Sequence, residues 1–547
     1  MIIGDAKNIN LSTSSFERMI TAGSLYADKT RMIENFLSSK SDVHLLARQR
    51  RTGKSLNLDM LRCFLTDKED FRHLFAGLYI ESSPIWSKVN SAPVLYFNFK
   101  ALHTNNYWQD VAMQIYKNLR SVISLDDLDH YQKSQFENMT NNRDAVTHGL
   151  QLLTEIVYEV TGKRPYLLID EYDKLLIANY NTDKYDEIIS FETALLSNVL
   201  KDNNYLEKAL LTGVMRVSHE SVFSGLNNVV IFDIFNDNVY THDYGLMEDE
   251  INELHELTGF DIDEVRAWYN GIRIGGHAIY NVYSVMSHIF RGKMDCYWGK
   301  SGTMDMIVHM LNDSRKSTLA RLLNGERVEV EMNDRVSLRQ ISHDSGDQAF
   351  YSMLVQAGYL ALEEAVLSRS ATATVTIPNI ELMIVWKRFI FDNVFGSVPK
   401  LRTLFDNAND LNLLAKDVEH FLHDRLSYHD LAVHKNEDSN RAREQLYHVF
   451  LLGILSAYDD VNYKRPLSNR ESGDGRYDIL VEKPTDNFIF EFKTADSADN
   501  LVARAKEALA QIEAKRYGED ISTQKRLVRV GVAFFGKMCK VQCGEAI

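Results

Sequence analysis

The run Arg48-Gln-Arg-Arg-Thr-Gly-Lys-Ser55 sets a glycine, a lysine and a hydroxyl in the order that phosphate chemistry uses. In such a loop, backbone N–H groups and the start of the following helix hold phosphate oxygens. Lys54 adds a mobile cation at the β- and γ-phosphates, and the Ser55 hydroxyl reaches Mg²⁺. Arg48 occupies the place of the first glycine in G-x-x-x-x-G-K-[ST], a departure because glycine there permits unusual backbone angles. Arg51, Thr52 and Gly53 complete the candidate ATP loop. In RPYLLIDEYDKLL, an apolar run ends in Asp170 and Glu171. A buried strand would deliver both carboxylates to a sheet edge, Asp170 for Mg²⁺ and Glu171 to polarise the attacking water. Arg216 follows a further apolar run ending at Thr212 and Gly213. A cation near the γ-phosphate and a surface salt bridge both fit it.

A second constellation lies near the C-terminus. Asp478 begins the apolar run Asp-Ile-Leu-Val, and Glu491 and Lys493 share one face of the strand expected over Phe488 to Lys493, because strand side chains alternate. A hairpin turning at Lys483, Pro484 and Asn487 would bring Asp478 beside Glu491. Two carboxylates could then share a divalent metal, with Lys493 orienting water and steadying charge on a phosphorane. Glu444, on the preceding helix, is the candidate third carboxylate. Phenylalanines flank Glu491 on both sides, which favours a buried site over an exposed ladder of charges. Arg470, Arg476, Gln511 and Tyr517 are candidates to meet nucleic acid, although Arg470 and Arg476 fit ion pairs with Glu471 or Asp474 equally well. Arg504, Lys506, Lys515, Arg516, Lys525, Arg526 and Arg529 add cations that could neutralise phosphates. Acyl-transfer chemistry is disfavoured, because neither a Ser-His-Asp nor a Cys-His pattern has supporting context.

These residues need elements to hold them. Four short apolar runs, Val43 to Ala47, Val94 to Phe99, Tyr166 to Asp170 and Ala209 to Val214, alternate with helical-length sequence, as parallel strands with crossover helices require. Residues 245 to about 345 read as mainly helical. From Phe350, a helix, the alternating stretch Thr372 to Ile377 and another helix suggest a winged-helix-like module; from about Arg441 the pattern is helix, strand, strand, helix, strand. The fold class expected is α/β, with domains over 1–235 (P-loop ATPase with a parallel sheet), 236–345 (helical lid), 346–430 (winged-helix-like and helical linker) and 431–547 (restriction-endonuclease-like).

Composition sets outer limits. A chain of 547 residues calls for about three or four domains. With 45% hydrophobic residues and only 7 Pro it has material for large cores and little for long linkers. Lys and Arg total 61 against 76 Asp and Glu, a net charge of −15 that excludes a protein coating polyanions with its whole surface but allows a local basic groove. Cys63, Cys296, Cys539 and Cys543 are too few and scattered for a disulfide framework, and Cys539 with Cys543 lacks partners at zinc spacing. The N-terminus has no signal-peptide pattern, and the apolar run Val449 to Leu455 is far short of the roughly 20 residues of a membrane helix, so a cytoplasmic location away from membranes is expected.

Five stretches together, SLYADKT, RQRRTGKSLNLDML, LLIDEYDK, LTGVMRVSHESVFSGLNN and WYNGIRIGGHAIYN, resemble the bacterial family of predicted AAA-ATPase-like proteins with a C-terminal PD-(D/E)xK nuclease-like domain. The likeness spans essentially the whole chain and extends in architecture to the STAND-type archaeal ATPases. In that family an arginine also tends to begin the loop, which makes Arg48 a family feature. By the same resemblance Arg216 would be a sensor arginine, Arg273 a lid residue, and Gln511 with Tyr517 the family's trailing motif. The expectation is an ATP-binding, ATP-hydrolysing protein that gates Mg²⁺-dependent cleavage of nucleic acid, DNA before RNA, with a homo-oligomer left open. The alternative is an ATP-driven switch whose nuclease-like domain binds nucleic acid or a partner without cutting.

Overall fold

The computed structural model describes residues 1–139, 142–216, 228–235, 239–274, 277–298, 307, 310–323, 325–332, 346–363, 372–390, 405, 409–423, 464–468, 471–472, 475–483, 485–518, 525–535 and 538–545. It divides into two compact units, Met1–Gly299 with Glu329–Glu381, and Lys300–Val328 with Leu382–Ile547.

The first unit is built on β1 (Val43–Ala47), β2 (Val94–Asn98), β3 (Tyr166–Asp170), β4 (Lys208–Gly213) and β5 (Val229–Phe232), parallel and in the order β2-β3-β4-β1-β5. Every residue of β1 and β3 is buried, which is why their sequences are apolar apart from His44 and the terminal Asp170. Four strands match the sequence expectation to within a residue or so. β5 was not expected, although its sequence, Val-Val-Ile-Phe, is wholly apolar; of its four residues only Phe232 is buried. Because β4 lies between β1 and β3, with Ala47 beside Gly213 and Ile169 beside Leu211, three strand ends converge at one sheet edge.

Beyond this sheet, helices Glu248–Thr258, Ile262–Tyr269 and Val282–Arg291 surround a small hairpin of Ile272–Ile274 and His277–Ile279. Their residues Ile251, Leu254, Val265, Tyr269 and Val285, together with Leu246 just before the first helix, form a separate apolar cluster. Helix Gly346–Gln356, the antiparallel pair Ala361–Leu362 with Thr372–Thr376, and helix Ile380–Ile390 follow in the order read from the sequence.

The second unit carries a mixed sheet of β6 (Lys464–Ser468), β7 (Ile479–Glu482), β8 (Asp486–Thr494), β9 (Arg526–Phe535) and β10 (Met538–Glu545), in that order. β8 and β9 are parallel and the other pairs antiparallel. Helix Leu501–Ala514 links β8 to β9 and lies so close to β9 that a Cβ on Gly531 would meet the Ala505 carbonyl and the Leu509 amide at 2.5 Å. Cys539 and Cys543 stand on β10, where burial pushes both thiols up to about 12, as suits packing residues. The run Val449 to Leu455 lies outside the described residues, and among those described no helix is long and apolar enough to cross a membrane.

Candidate functional site

The loop after β1 passes through Arg51 at φ 64° and Gly53 at φ 95° into helix Lys54–Leu65, whose apolar face is buried. Lys54 Nζ donates to the carbonyls of Arg48 and Gln49 at 2.9 and 2.7 Å, and Thr52 Oγ1 to that of Gln49 at 2.9 Å. Burial pushes the Lys54 ammonium down to about 8, opposed by Asp173, Asp170 and Glu171. Arg48 is fully buried, and its guanidinium donates to the carbonyls of Ala47 and Phe232 at 2.9 and 3.1 Å. The side chain that replaces the usual glycine therefore runs beneath the loop and ties β1 to β5.

Asp170, buried at the end of β3, accepts from Ser55 Oγ at 2.7 Å on one oxygen and from Thr212 Oγ1 at 2.8 Å on the other. Three separate segments thus meet on one carboxylate. Glu171 follows at φ 53°, a left-handed conformation unusual for a non-glycine residue and the kind of local strain that concentrates at working sites. Among the described residues no hydrogen bond holds its carboxylate. Asp173 lies deeper: its Oδ2 accepts from the Val214 and Met215 amides at 2.8 and 2.7 Å, and burial pushes it up to about 6. Gly213 is required beside it, since a Cβ there would come within 2.6 Å of the Tyr172 ring and 2.8 Å of Asp173. Arg216 pairs with Asp233 at 3.3 Å, the ion-pair geometry of its two sequence readings. Arg273 is exposed on its hairpin.

In the second unit the β7–β8 ladder ends with Ile479 opposite Phe490, and Asp478 immediately precedes β7. Asp478 Oδ2 accepts from the Phe492 amide at 2.8 Å. Glu491 is buried and accepts from Gln511 Nε2. The Tyr517 hydroxyl lies over Gly475, within the field of both acids. Gln511, considered for contact with nucleic acid, instead addresses a carboxylate. Lys493 is half-buried and has no hydrogen bond or ion pair among the described residues. Several cations of this unit are already matched: Arg504 with Glu507, Arg526 with Asp486 and Glu545, Arg529 with Glu513. Arg476 is exposed on a short strand, while Glu444 and Arg470 lie outside the described residues.

Both sites offer the hard oxygen donors that suit Mg²⁺, a hydroxyl with a carboxylate in the first unit and the carboxylates of Asp478 and Glu491 in the second. Among the described residues no group of three or more His, Cys, Asp or Glu is arranged to hold a metal ion. Sequence reasoning missed the work of Asp173, whose only sign was a third acid in DEYDK, and of the buried Glu381, which has no local sign at all.

A family model described as a predicted AAA-ATPase matches residues 10–223, and one for the PD-(D/E)XK nuclease superfamily matches residues 442–543. A relative described as an uncharacterized protein in the vnfD 5' region of Azotobacter chroococcum mcd 1 is 27% identical over 361 residues, covering 65% of this chain and 64% of the relative. The aligned part is thus just under two thirds of that relative's length. Sheet order, loop, acid pair and family matches converge: the chain joins a predicted AAA-ATPase domain to a PD-(D/E)XK nuclease superfamily domain.

Proposed function

We propose that the first unit binds and hydrolyses ATP, and that its nucleotide state gates a Mg²⁺-dependent phosphodiesterase in the second unit that acts on DNA. The observation that carries the first half is Asp170, joined to Ser55 of the loop and Thr212 of β4. Nucleotide phosphates would take over from the Arg48 and Gln49 carbonyls as partners of Lys54. A buried ammonium whose pKa has fallen to about 8 has much to gain from an anion. Ser55 and Asp170 would hold the metal, and Glu171, whose carboxylate has no hydrogen bond among the described residues, would polarise the attacking water.

In the second unit Asp478 and Glu491 would hold the ion, oriented by the Phe492 amide and by Gln511. Mg²⁺, when bound, offsets phosphate charge and supplies water in a more acidic form. Lys493 is free to steady the charge that develops on the phosphate. A net charge of −15 requires that nucleic acid approach through a local groove and a bridging metal. The reading extends to a cytoplasmic protein.

The test is cleavage of plasmid and single-stranded DNA by the full chain across Mg²⁺, Mn²⁺ and ATP. Metal-dependent product whose rate changes with ATP is expected. Metal-dependent DNA binding without product would favour the switch, and absence of both would overturn the nuclease reading.

A further inference from the structure

The loop that would receive the triphosphate is held from outside by residues distant in sequence. The Arg50 carbonyl accepts from Asn281 Nδ2 at 3.2 Å and from Trp298 Nε1 at 3.3 Å. Arg51 donates to the Tyr297 carbonyl, and its guanidinium lies 4.2 Å from the centroid of the Tyr283 ring. The Thr52 carbonyl accepts from the Gly245 amide at 3.0 Å. These contacts secure three successive loop residues, one of them in the left-handed conformation that costs a side-chain-bearing residue energy.

Tyr297 and Trp298 belong to no helix or strand, so something else must fix them. That partner is Glu381, 2% exposed. Its Oε1 accepts from the Tyr297 and Trp298 amides at 2.6 and 2.7 Å. Ser284 Oγ donates to its two oxygens at 3.1 and 2.8 Å, and the Ser284 amide donates to Asn281 Oδ1 at 3.1 Å. One carboxylate therefore organises two of the segments that grip the loop. A buried carboxylate is costly unless its oxygens are matched, and burial indeed pushes Glu381 up to about 7 against the opposing pull of these donors.

We propose that Glu381 is a positioning residue for the nucleotide loop: through Tyr297 and Trp298 it holds Arg50 and Arg51 in the geometry that receives the triphosphate. The glycine that normally gives such a loop its freedom is absent at position 48, and an external clamp supplies the shape instead. The inference rests on the first unit binding ATP. Trp298, stacked edge-on against Tyr359 with ring centroids 4.8 Å apart, is its natural reporter.

The test measures binding of a fluorescent ATP analogue to the full chain, with circular dichroism and thermal melting to verify folding. Glu381→Ala should weaken binding on the order of tenfold, as loss of positioned hydrogen bonds implies. Glu381→Gln, which keeps an acceptor for both amides, should recover most of that loss. Trp298→Phe keeps an aromatic ring but removes the indole donor. It should weaken binding severalfold and abolish most of the emission change that nucleotide produces in the wild type. Wild-type affinity in a folded Glu381→Ala protein would overturn the proposal, as would equal losses in the Ala and Gln variants, or an emission change that survives Trp298→Phe. If the wild type binds and Lys54→Ala does not, such a result sinks the clamp alone; if the wild type does not bind, the ATP reading fails together with the clamp.

Discussion

The two acidic sites reach similar donor chemistry by opposite routes. In the first unit Asp170 ends a parallel strand and is gripped by hydroxyls from a loop helix and from the neighbouring strand. In the second, Asp478 just precedes and Glu491 lies within an antiparallel strand pair, and their supports are a backbone amide and the Gln511 side chain. The lysines differ in parallel: Lys54 is buried and engaged with carbonyls of its own loop, whereas Lys493 is half-buried and uncommitted among the described residues. A site built at the ends of parallel strands gathers its partners from consecutive motifs. A site built across a hairpin depends on register, and a one-residue slip would turn one acid away from the other.

The sharpest way to break this comparison is to remove an acid from the second site. Glu491→Gln or Asp478→Asn should lower metal-dependent cleavage by about a thousandfold, since the ion stabilises the transition state by several kcal/mol. ATP affinity should stay unchanged, and a parallel loss in ATP binding would show that the two sites are not separable. Next in size is Lys54→Ala, expected to weaken ATP binding roughly a hundredfold by removing a buried cation from the phosphates, measured by calorimetry.

Gln511→Ala tests whether Glu491 needs its support. Metal affinity or cleavage should fall about ten- to a hundredfold, the range for loss of a partner that orients a metal-binding carboxylate. The counterpart in the first unit, Thr212→Val, keeps shape but removes one hydrogen bond to Asp170, and should cost ATP turnover about threefold to tenfold. If Thr212→Val were the costlier of the two, the first site would depend more on its scaffold than the contacts indicate.

A separate effect, on stability and not on activity, concerns pH. Burial pushes Asp243 up to about 6, above the usual carboxylate value of 3.8. The folded chain therefore holds the proton more tightly than the unfolded chain. That contribution is fully present below about pH 4 and is lost as pH rises through 6. Asp243→Asn should flatten the decline in unfolding free energy between pH 4 and 7 by roughly 2 kcal/mol, read by denaturant titration at several pH values. An unchanged slope would refute the assignment.

What could be read in advance followed from how local the signal was. β1 and β3 were legible because a strand buried on both faces must be an apolar run, and the loop because its motif is contiguous. β5 offers the same kind of local signal in Val-Val-Ile-Phe and was not read from it. The direction of Arg48 could not be read either: a cation in a phosphate loop suggests a phosphate partner, and only the carbonyls of Ala47 and Phe232 beneath it decide otherwise. The cations near the C-terminus were counted as one basic group, yet Arg526 and Arg529 spend their charge on Asp486, Glu545 and Glu513.

By itself the sequence determined the α/β class, the loop with its lysine and serine, the strand that delivers Asp170 and Glu171, and the alternation that sets Glu491 and Lys493 on one face. All of these follow from neighbours in the chain and from the short periods of helix and strand. Only the tertiary structure decided that Thr212 would share Asp170 with Ser55, that Gln511 would support Glu491, and that Glu381 would hold the loop through Tyr297 and Trp298. The physical reason is that a hydrogen bond between residues far apart in the chain leaves no periodic trace in composition. It exists because burial leaves a polar group no other partner.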